Sequence, residues 1–133
     1  SEKEGGSKKA VSGMPMVQFS LSGMLQLCDE GVLTPEIVIQ LMCHNPARLF
    51  CVDKRGFLRP GYKADFVLLR HDKPMILNSS QILSRCGWSP REGDTFNWKV
   101  CQTWVNGQLV WDGQTIACGN AGQPVRFNRK CHN

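Results

Sequence analysis

The stretch VCQTWVNGQLVWDG, residues 100–113, holds two apolar segments separated by Asn-Gly. A two-residue type I′ turn needs positive φ at both central positions, which Asn and Gly tolerate best, so Asn106-Gly107 is a strong hairpin signal. We therefore predict strands at Val100 to Val105 and at Gln108 to Trp111, followed by a turn at Asp112-Gly113. The second half of the chain is expected to contain β-structure.

A further turn and strand are predicted upstream of this hairpin. The segment Arg59-Pro60-Gly61-Tyr62 fits a type II turn, with Pro at its second position and Gly at its third. The apolar run Ala64 to Leu69 follows as a strand. The segment from Asp72 to Asn97 and the tail after Gly119 show no regular pattern, so both are expected to be irregular.

The first half of the chain has the apolar spacing of helices. Apolar residues from Met16 to Glu30 recur on one helical face, and Gly31 can end that helix in the left-handed conformation. Thr34-Pro35-Glu36 supplies a cap, a first-turn proline and an acid, so a second helix starts there. We expect Asn45-Pro46 to interrupt it, with Asn45 capping a short helix from Ala47 to Phe50.

These helices carry more apolar side chains than they need to pack against one another. We expect the chain to expose a contiguous apolar patch, or to cover it with another chain. The residues concerned are Leu21, Met24, Leu25, Ile37, Leu41, Met42, Leu49 and Phe50. Helices followed by strands predict an α+β fold.

Composition indicates a globular chain without a membrane or nucleic-acid role. Of 133 residues, 41% are hydrophobic and 20% are charged, and no apolar run approaches the ~18 residues of a membrane span. The net charge is +5, but the basic residues are scattered, so we expect no nucleic-acid partner. The first fifteen residues are polar and are expected to form a loop. They begin without Met, as in a processed product or a piece of a larger protein.

The cysteines indicate a reducing compartment. There are seven, an odd number, and no C-x-x-C pair occurs. A disulfide framework is not expected in a chain that can build a core, so we predict a cytoplasmic protein. Cys28, Cys43 and Cys51 stand among apolar residues in or beside helices, and we predict that they are buried thiols.

The chain shows no self-contained catalytic site. His44, His71 and His132 form neither H-x-H nor H-E-x-x-H, and no phosphate loop or nucleophile elbow occurs. For His44, hydrogen bonding at a helix end is favoured over metal ligation. His71 is expected in a loop and His132 in the tail, both solvated. A Cys–His nucleophile pair stays open on spacing alone.

The four tryptophans allow two interpretations. A sugar platform or a base-stacking surface is one, and packing in a core or an interface is the other and the favoured one. The residues are Trp88, Trp98, Trp104 and Trp111.

Five blocks together resemble the end of the dihydroorotases and of their hydantoinase and allantoinase relatives. They occur in the order SGMPMVQFSLSGML, LTPEIVIQLMCHNPARLF, RGFLRPGYKADFVLL, CGWSPREGDTF and TWVNGQLVWDG. The second and third resemble the amidohydrolase superfamily generally, the last two resemble the cyclic amidohydrolases, and the first looks most like dihydroorotase. The resemblance covers roughly residues 1–127.

The resemblance implies a (β/α)8 barrel joined to a small β-sandwich. Residues 1–52 would be the last loop and helices of the barrel, and residues 53–133 the C-terminal segment of the sandwich with a tail. The family holds one or two zinc ions in the barrel and uses a metal-bound hydroxide to open or close the ring of dihydroorotate, giving N-carbamoyl-L-aspartate for pyrimidine synthesis. Its metal ligands and catalytic Asp lie upstream of this chain. We therefore expect no catalytic residue, no bound zinc and no activity in this chain alone.

The resemblance also implies substrate-binding residues and partners. The segment AVSGM matches a loop that lends backbone groups to the substrate, which points to Ser12 and Gly13, since Gly allows close backbone approach. The alternative is that Gly13 only supplies a tight turn. Implied partners are a small-molecule substrate, the missing N-terminal barrel portion, and a further copy of the chain or a transcarbamoylase.

Two other functions stay open at this point. One is an allantoinase or dihydropyrimidinase type of cyclic amidohydrolase, since the residues that select the substrate lie largely upstream. The other is a metal-free dihydroorotase-like module that helps to assemble a transcarbamoylase.

Overall fold

The computed structural model describes residues 13–117 and 119–128, and the helices precede the strands. The elements are a 3-10 turn Val17–Phe19, α1 Ser20–Asp29, α2 Pro35–Ile39, a π-helical turn Gln40–His44, α3 Asn45–Leu49, β1 Phe66–Ile76, a 3-10 turn Ser79–Gln81, β2 Thr95–Val105 and β3 Gln108–Trp111. The strands form one antiparallel sheet in the order β1-β2-β3. The predicted α+β arrangement is confirmed for the described residues.

The Asn-Gly hairpin is confirmed. Asn106 and Gly107 have φ values of 50° and 78°, and Val105 pairs with Gln108 across the turn. The amide of Gly107 donates a 2.9 Å hydrogen bond to the carbonyl of Ala64, just before β1. The turn is therefore also bonded to the neighbouring strand entry, which aligns β1 beside the hairpin.

The strands are longer than predicted, so the expected irregular segment from Asp72 to Asn97 is partly wrong. β1 continues to Ile76 and β2 begins at Thr95. The residues that extend β1 beyond Leu69 are mostly polar and include Pro74, so the sequence pattern did not predict a strand there. Pro74 lies in the register irregularity between His71 and Met75 of an edge strand, where a missing N–H costs no ladder hydrogen bond.

The type II turn is also confirmed, and it leads into β1. The amide of Tyr62 donates to the carbonyl of Arg59 at 3.1 Å, and Gly61 has a φ of +81°. Gly56 is more constrained than Gly61, because a Cβ at Gly56 would lie 2.5 Å from Ala47 Cβ and 2.7 Å from the Cys43 carbonyl oxygen. The loop before β1 therefore packs directly on the helices.

The predicted start of the second helix is confirmed. The first α-helix begins at Ser20, after a 3-10 turn, and not at Met16 as predicted, and the predicted interruption at Asn45 is also wrong. The side chain of Thr34 accepts a 3.4 Å hydrogen bond from the amide of Ile37, as an N-cap does. Asn45 is itself helical, and its amide donates to the carbonyl of Gln40, five residues earlier. This wider π-helical turn accommodates the ring of Pro46, which would clash in a regular α-helix. The chain thus stays helical from α2 through α3.

The main apolar cluster joins the helices to the sheet. Phe19, Leu77 and Phe96 are buried together, with Ile82 packed against them. The rings of Phe19 and Phe96 are stacked with centroids 6.3 Å apart. The first turn of the helical segment is thereby attached to the start of β2.

Much of the apolar helical face is exposed, as expected of this chain without a covering partner. Leu25 is buried, and Leu21 and Met24 are partly buried. The other five are exposed: Ile37 39%, Leu41 46%, Met42 37%, Leu49 67% and Phe50 61%. The described helices therefore do not close a core on their own.

The cysteine prediction is correct for one thiol and wrong for another. Cys51 is buried and Cys28 is partly buried, but Cys43 is exposed. Cys43 follows Leu41 and Met42, which are exposed as well, so it shares a stretch of helix that nothing in the described chain covers.

The tail returns to the end of α3. Val52 forms an isolated bridge with Phe127, and the amide of Asp53 donates a 2.8 Å hydrogen bond to the carbonyl of Arg126. The tail lacks a strand within the described residues but is held by backbone hydrogen bonds. None of the helices in the described ranges has the length and apolar character needed to cross a bilayer.

Candidate functional site

Gly13 marks the one predicted substrate-binding position that the structure describes. Its φ is +85° and its surface is exposed, and among the described residues other than its chain neighbours no heavy atom lies within 4 Å of the place where a Cβ would stand. Ser12, its predicted partner, lies outside the described residues. The backbone at Gly13 is accessible to a small molecule from this side, so the substrate role stays a prediction with a compatible geometry.

The two histidines in the described part of the chain, His44 and His71, lie in different elements and have different partners. The ring of His44 stacks on Phe57 with centroids 4.4 Å apart and planes 9° apart, so it is a packing residue of the π-helical turn. It is not the helix-end cap that we predicted. His132 lies outside the described residues. Among the residues that the structure describes, no group of three His, Cys, Asp or Glu side chains could hold a metal ion.

His71 does not lie in a loop, contrary to the prediction. It stands in β1, with its ring edge-on to Trp98 at 5.0 Å and its Nε2 3.4 Å from Oδ1 of Asp29. Its side chain is still 58% exposed, so the expected solvation is right while the expected structure is wrong.

Asp29, at the end of α1, makes polar contacts with residues of β1 and β2. Asn97 donates to its Oδ2 and the Trp98 indole donates to its Oδ1, each at 2.9 Å. Burial by itself would raise the pKa of Asp29, but the hydrogen bonds from Asn97 and Trp98 and the nearby His71 together hold this pKa below its ordinary value. Sequence reading missed this cluster, because its members are far apart along the chain.

A second polar cluster links two of the blocks that carry the family resemblance, RGFLRPGYKADFVLL and TWVNGQLVWDG. The Arg55 guanidinium pairs with the Asp65 carboxylate, and it also donates to Oδ1 of Asn106 at 3.0 Å. Asp65 in turn accepts the backbone amide of Asn106 at 2.7 Å. The side chains of Arg55 and Asp65 are only 15% and 27% exposed. These motif residues therefore stabilise the hairpin turn and the loop before β1.

The tryptophans on the sheet are engaged within the chain. Trp104 stacks on Phe66 with centroids 5.6 Å apart, and the indole of Trp111 donates to the carbonyl of Val100 at 3.4 Å. Together with the bond from Trp98 to Asp29, this agrees with the favoured packing role.

The family model and the similar proteins agree on one family. The model of the amidohydrolase family matches residues 9–110. The dihydroorotase of Halobacterium salinarum is 33% identical over 117 residues, covering 88% of this chain and 27% of that protein. The dihydroorotase of Syntrophus aciditrophicus is 33% identical over 110 residues, which are 83% of this chain and 26% of that protein.

Solved structures agree with the sequence matches. The L-hydantoinase (dihydropyrimidinase) from Arthrobacter aurescens superimposes with a TM-score of 0.81 at 30% identity, covering 89% of this chain and 27% of that chain. A D-hydantoinase gives a TM-score of 0.75 at 20% identity over 82% of this chain, which bears on the fold alone. The chain thus spans about a quarter of the length of the relatives it matches.

Proposed function

We propose that this chain, which belongs to the amidohydrolase family, is the C-terminal part of a dihydroorotase. The reaction is the reversible hydrolysis of a cyclic amide: water adds to the ring carbonyl of dihydroorotate, the C–N bond breaks, and N-carbamoyl-L-aspartate forms. In this proposal residues 1–52 complete the barrel and residues 53–133 belong to the sandwich and its tail.

The observation that supports this proposal best is a run of similarity to dihydroorotases that extends over nearly the whole chain. The eight relatives named dihydroorotase are 25–33% identical over 83–93% of the chain. Each match covers 26–29% of the relative, so the activity assigned here is that of a longer protein.

Zinc, if the protein uses it, would be held outside the described residues. Within residues 13–117 and 119–128 no three ligating side chains come together, so this part of the chain does not fit a metal site. We therefore assign no metal ligand and no catalytic residue to the chain, and expect it to be inactive by itself.

The apolar helical face supports a role as part of a larger protein. A groove of about 680 Å³ runs between α1 and the π-helical turn. Its apolar lining includes Phe19, Met24, Leu27, Leu41 and Met42. Leu41 and Met42 are exposed in this chain. Side chains of this kind left in water forfeit roughly 1.5–3 kcal/mol each, so we propose that the preceding barrel portion covers the groove.

Within the assembled enzyme, the contribution of this chain to the substrate would come from backbone groups at Ser12 and Gly13. The open surroundings and positive φ of Gly13 support this assignment. A backbone amide or carbonyl there would hydrogen-bond the polar edge of the substrate ring and fix its orientation without any side chain.

Location and assembly complete the proposal. We propose a cytoplasmic enzyme, on the basis of the odd cysteine count without C-x-x-C pairs. Its partners would be the small-molecule substrate and either a further copy of the protein or a transcarbamoylase.

A second candidate is a hydantoinase-type or allantoinase-type cyclic amidohydrolase. The specific observation in its favour is the similarity to the L-hydantoinase (dihydropyrimidinase) structure, at 30% identity and a TM-score of 0.81.

The deciding experiment assays the full-length protein on matched substrates. Purified protein is given dihydroorotate, dihydrouracil, hydantoin and allantoin in separate reactions, and ring opening is followed by loss of amide absorbance. We expect kcat/KM for dihydroorotate to exceed the others by at least about 100-fold, because a site built to bind a polar substrate group rejects analogues that lack it by more than this factor. A preference for dihydrouracil, hydantoin or allantoin would support the second candidate, and no turnover of any of them with metal supplied would support a non-catalytic module.

A further inference from the structure

A cavity beside the end of the helical segment has a cationic lining. It measures about 440 Å³ and lies between the loop after α3, the residues before β1 and the returning tail. Its lining comprises Asp53, Lys54, Arg55, Lys63, Gln123, Pro124 and Arg126. Residues from three separate stretches of the chain thus meet around one space.

Backbone and side-chain bonds hold these three stretches together. The amide of Asp53 donates to the carbonyl of Arg126 at 2.8 Å, and the amide of Lys63 donates to the carbonyl of Lys54 at 2.9 Å. The Lys63 ammonium donates to Oε1 of Gln123 at 2.9 Å. The three stretches that line the cavity are therefore bonded to one another.

The charges of the lining do not cancel. Arg55 is paired with Asp65, which lies outside the lining. Lys54, Lys63 and Arg126 form no ion pair with any residue that the structure describes, and Asp53 is the single acid among the lining residues. Three cations against one carboxylate give the cavity a net positive potential, which concentrates small anions.

One lining residue has an uncommon backbone conformation. Lys54 has a φ of 50°, a region that residues other than Gly, Asn and Asp seldom occupy. The hydrogen bond from Lys63 to its carbonyl holds it there. Backbone strain of this kind concentrates at ligand-binding sites, and here it lies beside the unpaired cations.

We propose that this cavity binds a small phosphate-bearing anion. Lysine and arginine side chains are the groups that bind phosphate oxygens in proteins, Lys as a point charge and Arg as a two-pronged donor. A phosphate group carries nearly two negative charges, which matches the excess of cations. The space exceeds that of a single phosphate, so a pyrophosphate or an organic phosphate fits. This site is independent of the proposed hydrolysis and does not include Gly13.

The proposal is tested on the full-length protein with inorganic pyrophosphate as the probe, by isothermal titration calorimetry in magnesium-free buffer. The double variant K63Q/R126Q removes two cations of the lining. The control K73Q/R85Q removes two exposed cations elsewhere and leaves the same net charge. We expect K63Q/R126Q to weaken binding by at least about 10-fold and the control to change it by less than about 2-fold.

A variant that binds more tightly shows that misfolding does not explain the weaker binding of K63Q/R126Q. Asp53→Asn removes the one carboxylate of the lining, and we expect it to strengthen pyrophosphate binding by about 3-fold or more. A damaged protein would not produce that gain. The proposal is overturned if the unchanged protein does not bind millimolar pyrophosphate, as it would not if another part of the protein fills the cavity. Equal losses in the two double variants, or no gain with D53N, would also overturn it.

Discussion

The indole Nε1 of Trp98 donates a 2.9 Å hydrogen bond to Oδ1 of Asp29, across 69 positions of sequence. This bond connects the end of α1 to the first half of β2. Asn97 and His71 contact the same carboxylate. Asp29 is thus the point at which the helical segment is attached to two strands through polar groups.

Asp29→Asn should lower stability at neutral pH by about 1 kcal/mol, since an amide oxygen is a weaker acceptor than a carboxylate and its NH2 group faces donors. The depressed pKa of Asp29 adds a pH signature. A carboxyl whose folded pKa is lowered contributes stability above its unfolded pKa, near 3.8, and loses it as the pH falls through the lower folded value. Thermal unfolding from pH 7 to pH 3 measures both effects.

Glu92→Gln is the matched control for Asp29→Asn, because Glu92 is an exposed acid on the same polypeptide and only its backbone forms a described hydrogen bond. We expect its acid unfolding profile to follow that of the unchanged protein. A D29N profile that also follows it would mean that the Asp29 bonds contribute nothing to stability.

Asp65→Asn should destabilise the protein by about 2 kcal/mol, because it leaves the largely buried Arg55 guanidinium without its counter-charge. It also weakens the bond from the amide of Asn106. Chemical denaturation measures the change. The comparison is Asp72→Asn, which removes the exposed pair of Arg70 and Asp72 and should leave the unfolding midpoint unchanged.

Gly56→Ala should cost roughly 2–4 kcal/mol, from overpacking and from positive φ together. The new Cβ would stand 2.5 Å from Ala47 Cβ and 2.7 Å from a backbone oxygen, and φ is +78°. Gly61 has nearly the same φ, +81°, with nothing within 4 Å. The loss of stability in Gly61→Ala therefore measures the cost of positive φ without the cost of overpacking. If the two variants unfold at the same denaturant concentration, the close packing of the loop on α3 is wrong.

Gly13→Ala should reduce kcat/KM of the full-length protein by at least about 10-fold if its backbone approaches the substrate, since a small misplacement is costly at a reacting centre. Positive φ alone would also disturb the loop. Gly31→Ala controls for that effect, because Gly31 has a φ of +72° and open surroundings at the end of α1. Equal activity of G13A and G31A would show that Gly13 serves only as a turn.

Leu41→Glu should destabilise the full-length protein by about 2 kcal/mol or more if the barrel portion covers the groove, because a charge would then be buried. Leu41 is 46% exposed when nothing else covers this chain, so the chain itself does not account for such a loss. Leu83→Glu serves as the comparison, at 61% exposure and outside the groove lining. Similar thermal stability of both variants would contradict burial of this face.

The sequence by itself determined the elements whose causes are local. Three such elements are the Asn106-Gly107 hairpin, the cap at Thr34 and the turn at Gly61. Each depends on a few adjacent residues with restricted φ values, so the sequence alone predicts it. The sequence alone also predicts the family, because the motif blocks that resemble the amidohydrolases are runs of adjacent residues, which lie within the matched range 9–110 except for the last three residues of the final block.

Only the tertiary structure decided what depends on contacts between distant residues. The polar half of β1 is a strand because β2 supplies its hydrogen bonds, and Pro74 is tolerated because it falls in a register irregularity. The helix passes through Asn45 because a π-helical turn makes room for Pro46. The bonds that Asp29 accepts from Asn97 and Trp98, and those that join Arg55 and Asp65 to Asn106, connect residues roughly 40 to 70 positions apart, a separation at which no local pattern signals contact.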